Sequence, residues 1–185
     1  MKKIIIYSIL LFSFQSCLVA QSKTKGEKKE IIKKFINSRL NEFSKNNVFI
    51  KDKMIQQYKG STEGLVKLFT PNQFYFIRNY LDIKTEKDII RFDTLFSKEE
   101  FLSMQEQIKN NSFKKWSELA DEKYFKQQKK DKKTRVELFS IPVFNKDRSL
   151  IIIYRESRYG GSLEVYKKDV QGNWKRFATG LVWID

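Results

Sequence analysis

Residues 150–168 read LIIIYRESRYGGSLEVYKK, and this stretch decides the fold. The run at 150–154 is apolar at successive positions, which is typical of a central strand that is covered on both faces. Residues 162–168 alternate between apolar and polar side chains and predict a second strand. The Gly160-Gly161 pair between them predicts a two-residue hairpin turn. We therefore expect two adjacent antiparallel strands.

The flanking sequence extends this hairpin into a meander. Val136, Leu138 and Ser140 alternate with polar or outward positions, which predicts a strand before the hairpin. Residues 145–148 read as a turn. A glycine-containing turn then separates the hairpin from a last strand or pair of strands at 174–184. The C-terminal third is thus predicted to be an antiparallel β-meander.

Two segments of the N-terminal part have the spacing of amphipathic helices. Apolar residues recur every three or four positions in 27–46 and again in 97–108. The second segment opens with Ser97 and Glu100, which stand at capping-box spacing. Each segment therefore predicts a helix with one buried stripe.

The region between and after these helices is predicted from weaker patterns. Thr70-Pro71 indicates a helix start, and the helix that follows would align Phe74, Ile77 and Leu81 on one face. Residues 88–96 indicate a short strand. Residues 113–120 indicate a further helical segment. We predict an α+β fold in which the N-terminal helices pack on one face of the C-terminal antiparallel β-meander.

The first twenty residues, MKKIIIYSILLFSFQSCLVA, are basic, then apolar, then small, which is the order of a secretory signal peptide. The apolar part is shorter than the about 20 residues of a membrane span, which favours a cleaved leader over an uncleaved anchor. We predict a signal peptide at 1–20, a polar linker at 21–29 and a single α+β domain at 30–185. The protein is then periplasmic or secreted.

Two processing routes compete at the end of this leader. Cleavage after Ala20 would release a soluble chain that begins at Gln21. Alternatively, residues 14–17 read as a loose lipobox, FQSC, whose Cys17 would be lipidated and would anchor an outer-membrane lipoprotein. The apolar residues directly after Cys17 favour the first route.

Missing residue types exclude several chemistries. Cys17 is the only cysteine and histidine is absent, so Ser-His-Asp and Cys-His catalysis are excluded. The commonest zinc ligand is absent as well. We predict no catalytic residue, no metal site and no cofactor from these patterns, and a non-catalytic role is favoured.

The chain is strongly basic. Its formal charge is +15, of which Lys2 and Lys3 of the leader contribute two, so residues 21–185 carry +13. Such a charge favours polyanionic partners. An AT-rich genome would also produce this excess, because lysines outnumber arginines 29 to 8.

The densest basic run is KYFKQQKKDKKTR at 123–135, and its centre carries Lys129, Lys130, Lys132 and Lys133. Runs of this kind bind polyanions, but they also form solvated helix ends or connecting loops. The predicted export argues against nucleic acid as the partner of this run. The partners expected for such a patch are therefore anionic glycans or lipid head groups.

A second candidate binding site surrounds YRESRYGGS at 154–162. On a regular strand Arg155 and Arg158 point to opposite faces, so they clamp one anion only if a bulge rotates the strand end. The competing interpretation is an ordinary hairpin. As a binding edge, the site would comprise Arg155, Arg158, Tyr159, Trp174 and Arg176.

Three functions are compatible with these features. The first is a non-catalytic envelope or secreted binding protein. The second is a small-ligand carrier with an aromatic-lined pocket, suggested by 16 Phe, 8 Tyr and 3 Trp. The third is a carboxylate-dependent hydrolase using Glu156, Glu164 or Asp185, in which Glu156 and Glu164 flank one hairpin and could approach each other.

The pattern SIPVFNKDRSLIIIYRESRYGGSLEVYKKDVQGNWKRF at 140–177 resembles the C-terminal part of small, uncharacterised exported bacterial proteins. In these proteins a turn leads through a strand to glycines, then to a lysine-rich strand and to Gly-x-Trp-Lys. They often look like lipoproteins and carry cysteines beside the glycines, which this chain lacks. The resemblance implies a similar sheet and export, and no activity.

Overall fold

A mixed β-sheet with helices on both faces organises the chain. The computed structural model describes residues 26–27, 29–40, 42, 48–70, 75–77, 89–121, 125 and 135–184. These residues form an α+β fold whose sheet has eight strands and whose C-terminal strands form the predicted antiparallel meander.

The strands are β1 (Val48–Ile50), β2 (Tyr75–Ile77), β3 (Ile89–Arg91), β4 (Arg135–Phe139), β5 (Val143–Phe144), β6 (Leu150–Ser157), β7 (Gly160–Lys168) and β8 (Trp174–Ile184). Their order across the sheet is β1-β4-β6-β7-β8-β2-β3, and β5 pairs with β6 outside this path. β1 runs parallel to β4, and the other pairs are antiparallel.

The helices within the described residues are α1, with helical residues 26–27, 29–40 and 42, α2 (Thr62–Lys67), α3 (Phe92–Leu95) and α4 (Lys98–Lys109), and a 3-10 turn follows at Trp116–Glu118. The capping box of α4 is confirmed. The Glu100 N–H donates to Ser97 Oγ at 3.2 Å, and the Ser97 N–H donates to Glu100 Oε2 at 2.9 Å. Helical residues 26, 27 and 29 lie within the segment that was predicted to be a linker.

Strand β6 divides the interior into two cores. Ile151 and Ile153 pack on one face with α1, whereas Ile152 and Tyr154 pack on the other face with α2 and α4. The prediction that the helices cover one face of the meander is therefore wrong. A strand that is apolar at successive positions buries both of its faces, and a layer of helices on each face achieves this.

Aromatic contacts hold the two layers to the sheet. On the α1 face, the Phe35 ring lies edge-on to Tyr166 and Trp174, with centroid distances of 5.0 and 6.1 Å. On the opposite face, Tyr58 meets Tyr154 at 5.6 Å. Edge-to-face pairs of this kind add about 0.5–1.5 kcal/mol beyond the area that they bury.

The segment after Thr70-Pro71 departs from its predicted helix. Residues 75–77 form strand β2, which pairs with β3 and contacts Thr179 of β8. Tyr-Phe-Ile has high strand propensity, and two neighbouring strands are present to pair with it. Residues 71–74 and 78–88, including Phe74 and Leu81, lie outside the described residues.

Two further predictions hold in part. The strand predicted at 88–96 is confined to Ile89–Arg91, and the chain continues directly into α3. Of the helical segment predicted at 113–120, only the 3-10 turn forms. Its Trp116 N–H donates to the Asp52 carbonyl, and the Ser117 N–H donates to Asp52 Oδ1 at 2.7 Å.

The hairpin turn between β6 and β7 lies at Arg158 and Tyr159, and not at Gly160-Gly161 as predicted. Ser157 pairs with Gly160, and this register sets Ile152 opposite Val165 and Tyr154 opposite Leu163. A turn at the two glycines would instead place Lys167 and Lys168 opposite the apolar run of β6. Burial of that run therefore selects the register against the local glycine preference.

Candidate functional site

A cluster of charged side chains lies within the α1 face of the sheet. It consists of Glu137 from β4, Arg155 from β6 and Glu164 from β7. Arg155 pairs across the sheet with Phe139 and Ser162, two residues from each glutamate. Because strand side chains alternate between faces, the register brings all three charged groups to the same face.

Arg155 binds both glutamates. Its Nη1 donates to Glu164 Oε1 at 2.6 Å, and its Nη2 donates to Glu137 Oε1. Both glutamates are fully buried, and 16% of the Arg155 side chain is exposed. A guanidinium is suited to this position because its donors diverge in a rigid plane and remain protonated.

Tyr166 and two further arginines surround this cluster. The Tyr166 hydroxyl donates to Glu164 Oε2, and Arg176 Nη1 lies 3.7 Å from Glu164 Oε1. The guanidinium of Arg39, on α1, lies 4.8 Å from the centre of the Tyr166 ring. Arg39 is itself nearly buried and forms an ion pair with Glu42.

The surroundings set the protonation states of this cluster. Burial alone would raise the pKa of Glu164, but the charge of Arg155 and the hydrogen bonds from Tyr166 and Arg155 outweigh it, so the pKa is lowered. Burial raises the pKa of Tyr166 well above its ordinary value, and the adjacent Glu164 charge raises it further. Burial would lower the pKa of Arg155, but its two glutamate partners raise it overall. Near neutral pH, Glu164 is a carboxylate, Tyr166 is neutral and Arg155 is charged.

This arrangement is poorly suited to proton transfer. A general acid or base works best with a pKa near the working pH, whereas the pKa values of Glu164 and Tyr166 are displaced away from neutrality. Each shift stabilises the state that the group already has. The cluster therefore acts as a buried network of ion pairs that links β4, β6 and β7.

A narrow cleft lies under α1 beside this cluster. Its volume is about 10 Å³, which is roughly the space of one water molecule. Aromatic side chains, Arg39 and aliphatic residues line it, and Trp116 contributes an indole N–H that is buried without a hydrogen-bond partner among the described residues. The aromatic lining expected for a carrier is present, but this cleft holds no more than about one water molecule.

The structure divides the five residues of the predicted binding edge, because Arg155 and Arg176 both approach Glu164 while Arg158 and Tyr159 lie in the hairpin turn. Arg155 is engaged by two glutamates, and Trp174 is packed in the α1 core. Arg158 and Tyr159 occupy the exposed turn, where the guanidinium lies 5.8 Å from the ring centre. Arg176 is half exposed beside Glu164. Arg155 and Arg176 meet at a glutamate, and a binding edge formed by the five residues stays a prediction.

The predicted approach of Glu156 to Glu164 is also wrong. Glu156 pairs with Gly161, while Glu164 pairs with Ile153. Ile153 and Glu156 are three positions apart on β6, so their side chains point to opposite faces of the sheet. Glu164 shares the face of Ile153, and the two carboxylates therefore lie on opposite faces. They cannot flank one glycosidic bond, and Glu164 is already bound to Arg155.

Other predicted residues fall outside the described part of the chain. These are Asp185, the possible lipidation site Cys17, and the basic patch of Lys129, Lys130, Lys132 and Lys133. Their roles remain predictions.

Sequence reasoning did not identify Glu137, Tyr166 or Arg39 as parts of this cluster. Glu137 was read as a polar or outward position of its strand, yet it is fully buried while Val136 and Leu138 are only partly buried. One signal was available. Glu164 and Tyr166 stand two apart on a strand beside an apolar one, so they share a face.

No helix within the described ranges is both long and apolar enough to cross a bilayer. Among the same residues, no three potential ligands from His, Cys, Asp and Glu group together around a metal position. Compared with known proteins, the chain matches no family model, no curated protein and no solved structure.

Proposed function

We propose that this chain is an exported protein that acts without catalysis and binds an anionic partner through its basic surface. The observation that carries the proposal is the contrast between its buried and its exposed charges. The buried glutamates at the centre of the sheet are matched by Arg155. The excess positive charge lies on the surface, for example at the exposed residues Lys51, Lys67 and Lys167.

The composition supports a binding role over a catalytic one. Histidine is absent, and residues 21–185 carry a net charge of +13. A field of this sign concentrates polyanions at the surface and speeds their association. Export limits the expected partners to anionic glycans and lipid head groups.

Retention on a polyanionic matrix tests this proposal. We expect the purified, exported protein to bind heparin and phosphocellulose at low salt and to elute as ionic strength rises, because screening weakens charge contacts. An uncharged agarose matrix is the control. Elution from heparin at the same low salt as from agarose would refute the proposal.

The predicted basic patch can be tested on the same column. Replacing Lys129, Lys130, Lys132 and Lys133 together with glutamine should lower the salt concentration needed for elution if this run contributes to binding. A matched variant with glutamine at the exposed residues Lys51, Lys67, Lys98 and Lys109 carries the same net charge. Equal elution of the two variants would remove the patch as a local site.

A small-ligand carrier is the second candidate function. The aromatic-lined cleft and the unsatisfied Trp116 N–H favour it. Pockets for small molecules, however, usually measure about 300–1,000 Å³, so the present cleft would have to widen. A ligand that quenches tryptophan fluorescence in wild-type protein, but not in W116F, would support this role over surface binding.

A further inference from the structure

The distal end of the β7–β8 hairpin concentrates exposed cations. Lys167 pairs directly with Lys175 on the face that α2 and α4 cover, and Lys168 and Arg176 stand on the adjoining positions of the α1 face. Like charges placed directly opposite each other destabilise a sheet. An external anion would offset the repulsion between Lys167 and Lys175.

One acid partly balances this group. Asp169 is the only acidic residue in 167–176, and its Oδ2 lies 3.1 Å from Lys175 Nζ. The segment as a whole keeps a charge of +3. The positive potential therefore persists after the local ion pair is counted.

Aromatic rings hold two of these lysines close to the hairpin. Lys168 Nζ lies 4.9 Å from the Trp174 ring centre, and Lys167 Nζ lies 5.7 Å from that of Phe177. Their alkyl stems cover apolar surface while the ammonium groups remain in water. Because the rings restrict both side chains, less conformational entropy is lost when an anion binds them.

The turn at the end of the hairpin presents an apolar tip. Val170 is 96% exposed, and Asp169 Oδ1 fixes the turn by accepting the N–H groups of Gln171 and Asn173 at 3.0 and 2.8 Å. One exposed valine is ordinary on a protein surface. Here the exposed valine lies at the tip of the hairpin and the four cations lie behind it. In a membrane surface the acyl chains likewise lie deeper than the lipid phosphates, so a tip that enters the surface would bring the valine towards the acyl chains and the cations to the phosphates.

We propose that this tip, formed by residues 167–176, docks on anionic phospholipid bilayers, with the basic side chains against lipid phosphates and Val170 at the head-group boundary. The inference rests on the proposed function and specifies its partner. Lipid is favoured over an anionic glycan because a hydrophilic polysaccharide offers an apolar tip no complementary surface.

Co-sedimentation with vesicles tests the assignment. The exported protein is prepared with C17A, which removes any lipid attachment at that residue. We expect binding to vesicles of equal parts phosphatidylglycerol and phosphatidylcholine, and little binding to phosphatidylcholine alone. The triple variant K167Q/K168Q/K175Q should bind the anionic vesicles roughly a hundred-fold more weakly, at about five-fold per lysine.

Matched variants separate this site from general charge effects. K67Q/K98Q/K109Q removes the same charge from α2 and α4 and should bind within a few-fold of the C17A parent. V170S should weaken vesicle binding and V170W should strengthen it, with heparin retention unchanged in both. Circular dichroism and thermal unfolding establish that each variant is folded.

Two results would overturn the inference while leaving the proposed function intact. One is equal vesicle binding by the two triple variants, together with normal heparin retention. The other combines two observations: neither Val170 substitution changes vesicle binding, and K167Q/K168Q/K175Q loses heparin retention. That combination would show that the tip binds an anionic polymer instead of lipid. Absence of binding to both vesicles and heparin would instead refute the proposed function itself.

Discussion

Arg155 Nη1 lies 2.6 Å from Glu164 Oε1, although the two residues are nine positions apart and belong to neighbouring strands. The same guanidinium binds Glu137 on the third strand. Buried charges are tolerated when they are paired and hydrogen-bonded. Arg155, with Arg176 lying 3.7 Å from Glu164 Oε1, therefore permits two carboxylates to lie inside the sheet.

Removing this guanidinium should be costly. We expect R155M to lower the free energy of unfolding by about 3–5 kcal/mol, because it leaves buried carboxylates without their counter-charge. Urea unfolding measures the change. R158M, in the exposed hairpin turn, is the matched control and should stay within about 0.5 kcal/mol of wild type; equal losses in the two variants would contradict the role of Arg155.

Acid should weaken the fold through Glu164. Its pKa is lower in the folded state than in the unfolded chain, so its contribution is complete above the ordinary glutamate pKa and is lost as pH falls through the folded value. Below about pH 4, wild-type stability should fall more steeply than that of E164Q, by up to about 1.4 kcal/mol per pH unit. Parallel stability curves, measured by urea unfolding across acid pH, would disprove this linkage.

Alkali should act through Tyr166. Its pKa is raised by burial and by Glu164, so above about pH 10 the unfolded chain loses a proton that the folded chain keeps. Stability should therefore fall with rising pH, and Y166F should remove that part of the slope. A Y166F curve that parallels wild type would count against the prediction.

The core under α4 should contribute to the free energy of unfolding, as the core under α1 does. Met104 is fully buried, whereas Leu102 on the same helix is 55% exposed. We expect M104A to cost about 2–5 kcal/mol and L102A no more than about 0.5 kcal/mol. Chemical denaturation of both variants measures the contrast, and similar losses would argue against a second buried face.

The proposed export predicts Gln21 as the first residue of the mature chain, and mass spectrometry of the N-terminus measures this. The reason is that the hydrophobic segment and the small residues after it predict a signal peptide that is cleaved at this point. A first residue of Cys17 that carries acyl mass would establish the lipoprotein route instead. An intact Met1 would contradict both.

Local patterns were sufficient for several elements. The capping box at Ser97 placed the start of α4, and the apolar run of β6 marked a central strand. Alternation identified β7, and the turn at 145–148 preceded β6 as expected. Each depends on residues within a few positions of one another, so their periodicity and capping chemistry are legible in the chain itself.

The candidate site was less accessible to such reasoning. Arg155 and Arg176 were selected for their charge, but the two glutamates that bind Arg155 and the tyrosine that binds Glu164 were not recognised as its partners. The burial of Glu137 depends on a cation that arrives from another strand. The sequence around Glu137, VELF at 136–139, contains no signal that Arg155 will be its partner.

The amino-acid sequence by itself determined the α+β class, the C-terminal meander and the absence of imidazole chemistry, because composition and short-range periodicity carry that information. Tertiary structure alone decided the two-residue turn at Arg158-Tyr159, the β2 strand, the helical cover on both faces and the Glu137–Arg155–Glu164 cluster. Strand register and the pairing of buried charges minimise free energy over contacts between distant segments. When those contacts conflict with a local preference, as at Gly160-Gly161, burial of the central strand prevails.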